Sequence, residues 1–207
     1  VLFCLLVVLI HVLSEPVGAL DRGSLQFALV FLPQRLSFVA VPGFFLLSGV
    51  KLCLRPPEHL GRYYAKRART LLLPYLIAVT VYDLWFIHWG WFSFSLRDLV
   101  RYCLAGAVSA HFYFMVALLQ FILLTPLWLR WSRKYAPVLL IPLSMVISWL
   151  SLRYLGSVLA LIRPGLDFPY SDRVCTSYLV FFLAGCCIGQ NYEGFTSLLR
   201  RNRTLVI

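Results

Sequence analysis

Two imidazoles stand within or at the mouth of long apolar runs in this chain. His11 lies inside VLFCLLVVLIHVL. His111 heads SAHFYFMVALLQFILLTPLW, which from Phe112 onward reads as a membrane span broken only by Gln120, Thr125 and Pro126. Histidine titrates near neutrality and is the commonest general base, and an ionisable side chain within a span marks a functional site by default. The other reading of His11 is an interfacial imidazole bonded to a loop carbonyl, and the residues alone leave both open. A second chemical element is Ser48-Gly49 in FFLLSGVKL. Small residues let helices approach closely and serine can bond back to its own helix. The pair is therefore either a packing notch or a pocket wall, where missing side chains make room for a bound chain or carbonyl. A third is RYYAKRARTLLLPYL, in which Lys66, Arg67 and Arg69 precede a span. These cations either anchor topology against anionic lipid or receive the phosphates of a cytosolic donor, which guanidinium forks fit. Asp83 is the one acid within a clear span, but it is five residues from His88, a spacing that does not share a helix face. Trp85, Trp89 and Trp91 read most simply as an interfacial aromatic belt, and alternatively as a platform for a sugar ring.

Such groups need helices that cross a bilayer to hold them. The 207 residues are 61% hydrophobic and 13% charged, with mean hydropathy +0.83. Soluble domains run about 45–50% apolar and about 25% charged. The chain is thus an integral membrane protein. Its net charge of +11 serves topology rather than nucleic acid, for which no binding motif is present. The six cysteines show no C-x-x-C pair and no His/Cys ligand spacing, so they read as small hydrophobes, with no metal site and no disulfide framework.

A spanning helix takes ~20 mostly apolar residues, and every span must be helical because backbone groups cannot go unpaired in lipid. Spans are expected over 1–14, 27–54 (with Pro33 and Pro42 inside), 71–92, 112–130, 136–152 and 174–190, with a seventh starting at Thr204. Residues 93–109 read as a short polar connection. The expected fold is an all-α polytopic transmembrane bundle, one membrane-embedded domain over 1–207. The chain lacks an initial Met, opens within an apolar run and ends on another, TLVI, so it reads as a fragment cut at both ends. Of nineteen Lys and Arg, twelve fall in alternate loops: Lys51, Arg55, Arg62, Lys66, Arg67 and Arg69, then Arg130, Arg133 and Lys134, then Arg200, Arg201 and Arg203. The positive-inside rule makes that side cytoplasmic, together with the N-terminus, and sets the chain in the cell membrane. His11, His88 and His111 then gather toward the outer face, with His59 alone in a cytoplasmic loop.

Taken together, the motifs resemble those of the acyltransferase-3 family, multi-span membrane acyltransferases that decorate surface polysaccharides. LLVVLIHV is similar to the family's first span, which ends in its catalytic histidine. VPGFFLLSGVKL resembles its Phe-Phe-x-x-Ser-Gly span, and YYAKRARTLLLPYL its Lys-Arg…Leu-x-x-Pro-Tyr approach to the third. HFYFMVALLQFILLTPLW resembles its His-x-Tyr/Trp-Phe span, and YLVFFLAGCCIGQ a later span ending in a glycine pair. The family usually has about ten spans of ~20 residues. It pairs the first histidine with an arginine eleven positions earlier, a position that precedes Val1.

The resemblance implies transfer of an acyl group, often acetyl, from acyl-CoA as co-substrate to a sugar hydroxyl, with no bound cofactor. It implies His11 as the general base and His111 as the group that orients the sugar or polarises the carbonyl. Lys66, Arg67 and Arg69 would hold the donor, and Ser48, Gly49 and Tyr113 would line the pocket, Ser48 without a nucleophile's role. The expected partners are membrane lipids, acyl-CoA and a glycan acceptor, with no nucleic acid. A carrier or exporter of polysaccharide or small solute is the alternative, since prolines and Ser-Gly within spans also suit broken transporter helices, although no inverted repeat is visible.

Overall fold

A computed structural model describes residues 1–163 and 168–202, which form helices and connecting turns with no strand among them. Arg203 of the basic set and the expected span start at Thr204 lie outside the described residues. Among those described, four helical stretches are long and apolar enough to cross a bilayer: 2–19, 25–54, 60–88 and 137–162. A fifth arises if the bent pair 96–105 and 110–123 is one span, while 175–190 is apolar but shorter. The polytopic all-α bundle is thus as expected. The six expected spans do not all appear as single long helices, because turns and prolines divide some of them.

Helix α1 (Leu2–Ala19) continues beyond residue 14 through Ser14, Glu15 and Pro16. The Ser14 hydroxyl donates to the Ile10 carbonyl at 2.6 Å and accepts from Gln34 Nε2 of α2 (Leu25–Ser37) at 3.2 Å, so these polar groups are satisfied within the protein. His11 therefore sits mid-helix rather than near an end. Helix α2 leads into α3 (Ala40–Leu54) through a tight turn at Phe38 and Val39. Pro42 accounts for the turn: it offers no N–H to the Phe38 carbonyl, and its ring crowds that carbonyl. Helix α4 (Leu60–Arg67) passes through a π-turn, Ala68–Leu72, into α5 (Leu73–His88). The third span thus begins earlier than residue 71, and the π-turn absorbs the donor that Pro74 lacks.

The expected polar connection contains a helix, α6 (Leu96–Ala105). Ser95 caps it, accepting from the Asp98 N–H at 3.3 Å, and Leu99, Tyr102 and Cys103 pack it on Tyr75 and Val79 of α5. Gly106 ends it at φ +60°, and a Cβ there would lie 2.9 Å from the Phe112 carbonyl oxygen. This close return delivers the chain into a 3₁₀ turn, Ala110–Phe112, and α7 (Tyr113–Leu123).

Pro126 breaks the expected 112–130 span at Leu124, separating α7 from α8 (Thr125–Lys134). The break frees carbonyls, and side chains take them. Trp128 Nε1 donates to Phe121 O at 3.0 Å, Thr125 Oγ1 to Ile122 O at 2.7 Å, and the Tyr64 hydroxyl to Leu123 O at 2.9 Å. Within a membrane a broken helix is tolerated only where the freed groups find such partners.

Helix α9 (Pro137–Ile162) turns Ser144, Ser148 and Ser151 inward. Ser148 Oγ accepts from the Val180 N–H at 3.2 Å, and Ser151 shares a hydrogen bond with Thr176 at 2.6 Å. Helices α10 (Leu179–Gln190) and α11 (Tyr192–Arg201) follow. The tightest crossing joins α3 to α10. A Cβ added to Gly49 would overlap the Phe182 carbonyl, and one added to Gly185 the Leu46 carbonyl. Around this crossing Phe45, Phe121, Trp128, Phe182 and Leu183 form the main core.

Gln120, which interrupts the fourth apolar run, has a structural task. Its Nε2 donates to Arg173 O at 2.7 Å and its Oε1 accepts from the Cys175 N–H at 3.0 Å, fastening α7 to the turn before α10. Gln120→Leu should insert normally but lose roughly 1–3 kcal/mol for each backbone group left unpaired. A lower thermal midpoint in detergent is the expected reading; an unchanged midpoint contradicts the clamp.

Candidate active site

Helix α1 packs along α2 and against α3, although none of its own residues is fully buried. Phe3 packs edge-on against Phe44 at 5.5 Å and lies over Gly43, where an added Cβ would be 2.5 Å from its ring. The Ser14–Gln34 bond secures the helix farther along. These contacts fix His11, which is exposed on its helix yet stands beside His111 on the wall of one cavity. The half-buried His111 is placed by its neighbour Phe112, which is buried beside Tyr75 and Val79. Ser109 Oγ lies 3.3 Å from His111 Nδ1, and the Tyr82 ring meets the imidazole at 5.4 Å. The two imidazoles stand edge to face with ring centres 5.7 Å apart. Both line a cavity of about 540 Å³ whose walls include Ile10, Val41, Phe44, Tyr113 and Phe114.

Two imidazoles so placed can divide the work of an alcohol's attack on an acyl carbonyl. A neutral ring within ~3 Å of the hydroxyl takes its proton. A second ring N–H directed at the carbonyl oxygen stabilises the charge developing there. The apolar walls keep both interactions in a low dielectric, where they count for more than in water.

One helical turn farther along α3 and α7 is a second cavity of about 200 Å³ with different chemistry. On α3, Phe44 lines the first cavity and Ser48 the second; on α7, Phe114 lines the first and Leu118 the second. The second is lined also by Lys51, Tyr63, Arg67 and Thr125, so two cations and three hydroxyl-bearing residues, Ser48 included, face one space. The Arg67 guanidinium lies over the Tyr63 ring, 5.2 Å from its centre. Ser48 Oγ donates to the Phe44 carbonyl at 2.7 Å, which occupies the hydroxyl within its own helix.

The structure thus brings together His11, His111 and Tyr113 at one cavity, and Ser48 with Arg67 at the other. Gly49 does not line either; it serves the crossing with α10. Lys66 is exposed and lines a separate groove with His59 and Arg62, and Arg69, on the π-turn, is exposed. His88 is exposed beside Trp89, ring centres 5.8 Å apart, while Asp83 is buried, so the two form no pair. Lys51, Tyr63 and Tyr82 are additional members. Lys51 carried a sequence signal, since it follows Ser48 by three positions and shares its helix face. Tyr63 carried one as well, four positions before Arg67. Tyr82 meets His111 only through the tertiary fold. Among the described residues no group of three or more His, Cys, Asp or Glu is arranged to hold a metal ion.

A family model described as "Acyltransferase domain" matches residues 1–207. No curated protein and no solved structure matches the chain.

Proposed function

The chain belongs to the acyltransferase-3 family, and from that premise we propose that this integral membrane acyltransferase moves an acyl group, acetyl in the simplest case, from acyl-CoA to a hydroxyl of a cell-surface or exopolysaccharide sugar. One observation carries the reading: a histidine pair and a cationic cavity are stacked one helical turn apart along α3 and α7. In this reading the protein lies in the cell membrane with its N-terminus and basic loops toward the cytoplasm, surrounded by lipid. Acyl-CoA approaches from the basic side, and its phosphates meet Arg67 and Lys51, with Lys66 and Arg69 adding positive potential at the rim. The sugar hydroxyl enters the histidine cavity from the other side.

There the hydroxyl oxygen attacks the thioester carbonyl carbon. A C–O bond forms, the C–S bond breaks, and the sulfur leaves as CoA thiolate. His11 takes the hydroxyl proton and returns it to the thiolate. His111 donates a hydrogen bond to the carbonyl oxygen while it carries negative charge.

The test separates donor binding from orientation. Lys51→Ala and Arg67→Ala should each raise the KM for acetyl-CoA by about ten- to a hundredfold, since a hydrogen bond to a charged group contributes about 1.5–3 kcal/mol, with kcat changed less. If KM stays constant while the chain inserts with the opposite orientation, these cations are topology anchors and the donor site is elsewhere.

A further inference from the structure

We infer that the phenylalanine rings between the two cavities form a gate for the acyl arm of the donor, with Phe44 and Phe114 as its movable leaves. The inference rests on the donor and acceptor sites proposed above. The two cavities share no lining residue. Between them the rings make an unbroken series: Phe44 to Phe114 at 5.6 Å, Phe114 to Phe45 at 4.9 Å, and Phe45 to Phe121 at 5.4 Å between centres. Phe44 and Phe114 line the histidine cavity, and Phe121 lines the cationic one.

The four rings are not equally free. Phe45 and Phe121 are 0% and 1% exposed. Phe45 is stacked on Tyr178 at 4.6 Å and Phe121 on Phe182 at 4.2 Å, so these two are fixed wall. Phe44 and Phe114 are only half-buried, and each borders a cavity of about 540 Å³ into which a ring can turn, Phe44 sliding along the edge of Phe3 while the Ser14–Gln34 bond still holds α1. The distance to cross is short, since Phe44 and Ser48 are one turn apart on α3, a rise of ~6 Å.

The chemistry calls for such a constriction. A thin uncharged thioester arm can slip between a pair of aromatic rings, while the CoA phosphates, held by Lys51 and Arg67, cannot follow. Water must be kept back as well, because a histidine that activates a sugar hydroxyl will also activate water. In that side reaction a water oxygen attacks the carbonyl carbon and the C–S bond breaks, giving the free carboxylic acid and CoA thiol. Closure of a site against water is the common protection against such loss.

The experiment uses the full chain, purified in detergent, with acetyl-CoA and no glycan. Phe44→Ala and Phe114→Ala should each raise acetyl-CoA hydrolysis about tenfold, as water gains a path to the thioester. Affinity for CoA should stay unchanged, which also certifies that each variant is folded. Phe114→Trp should act in the opposite sense, depressing both hydrolysis and glycan acylation with CoA affinity again unchanged. Unaltered hydrolysis in both alanine variants, with glycan acylation intact, overturns the gate and leaves these rings as packing. Failure of the underlying donor reading is distinct: the unmodified protein would then bind no CoA, and the gate would fall with it.

Discussion

His11→Ala is expected to lower acyl transfer by about 10²–10⁴-fold, the range typical for loss of a general base. The structure makes the expectation specific. His11 belongs to a helix with no buried residue, so removing its ring leaves the core untouched and the protein should insert and bind CoA as before. The lost rate then reads as lost proton transfer. His111→Ala should also be severe, because in the proposed mechanism the two rings, edge to face at 5.7 Å on the wall of one cavity, act on the same reacting group. The double variant should be little worse than the poorer single one, as is usual for groups that work as a unit. Near-normal transfer by His11→Ala, measured as acylated sugar, would leave its imidazole with an interfacial role only.

The second large effect is on folding. Gly49→Leu and Gly185→Leu should each prevent stable folding, and the corresponding alanine variants should be clearly destabilised. Two effects compete in the alanine variants. A helical Gly→Ala gains up to ~1 kcal/mol of propensity. The added Cβ, however, falls on the Phe182 carbonyl or the Leu46 carbonyl, which are backbone atoms of the partner helix and cannot turn aside. Overpacking of this kind costs about 1–3 kcal/mol, so the clash wins. Gly18→Ala in α1 is the control: nothing lies within 4 Å of its added Cβ, and it should be neutral or stabilising. Thermal unfolding in detergent reads all of these, and a Gly185→Ala protein as stable as the parent would contradict the close crossing.

The sequence made the helical bundle legible because lipid forces every crossing segment to pair its own backbone. It also made the two histidines legible, since an imidazole in an apolar run is conspicuous. It did not show that α1 carries on past Ser14. Ser14, Glu15 and Pro16 look like a loop, and the partner that satisfies Ser14 is Gln34 on another helix. Helix α6 was hidden because Arg97, Asp98 and Arg101 interrupt its short apolar stretch and it is too brief to span a bilayer, while only Leu99, Tyr102 and Cys103 pack on Tyr75 and Val79. Ser48 and Gly49, adjacent in sequence, face different neighbours in the fold, since consecutive residues on a helix point about 100° apart. One lines the cationic cavity and the other meets α10. The pairing of Arg67 with Lys51 instead of with Lys66 and Arg69 follows from the same rotation together with the packing of α4 on α7, which no local spacing reveals.

In the proposed mechanism donor and acceptor reach the histidine pair from opposite faces of the membrane. Vesicles holding the protein with its Lys51 and Arg67 face outward test it most directly, with acetyl-CoA added outside and glycan enclosed within. Acylated glycan should form in the lumen under this arrangement, and not when acetyl-CoA and glycan are both confined to the lumen. Equal product from lumenal acetyl-CoA would contradict the claim, because it would mean that the thioester reaches His11 without passing the basic face.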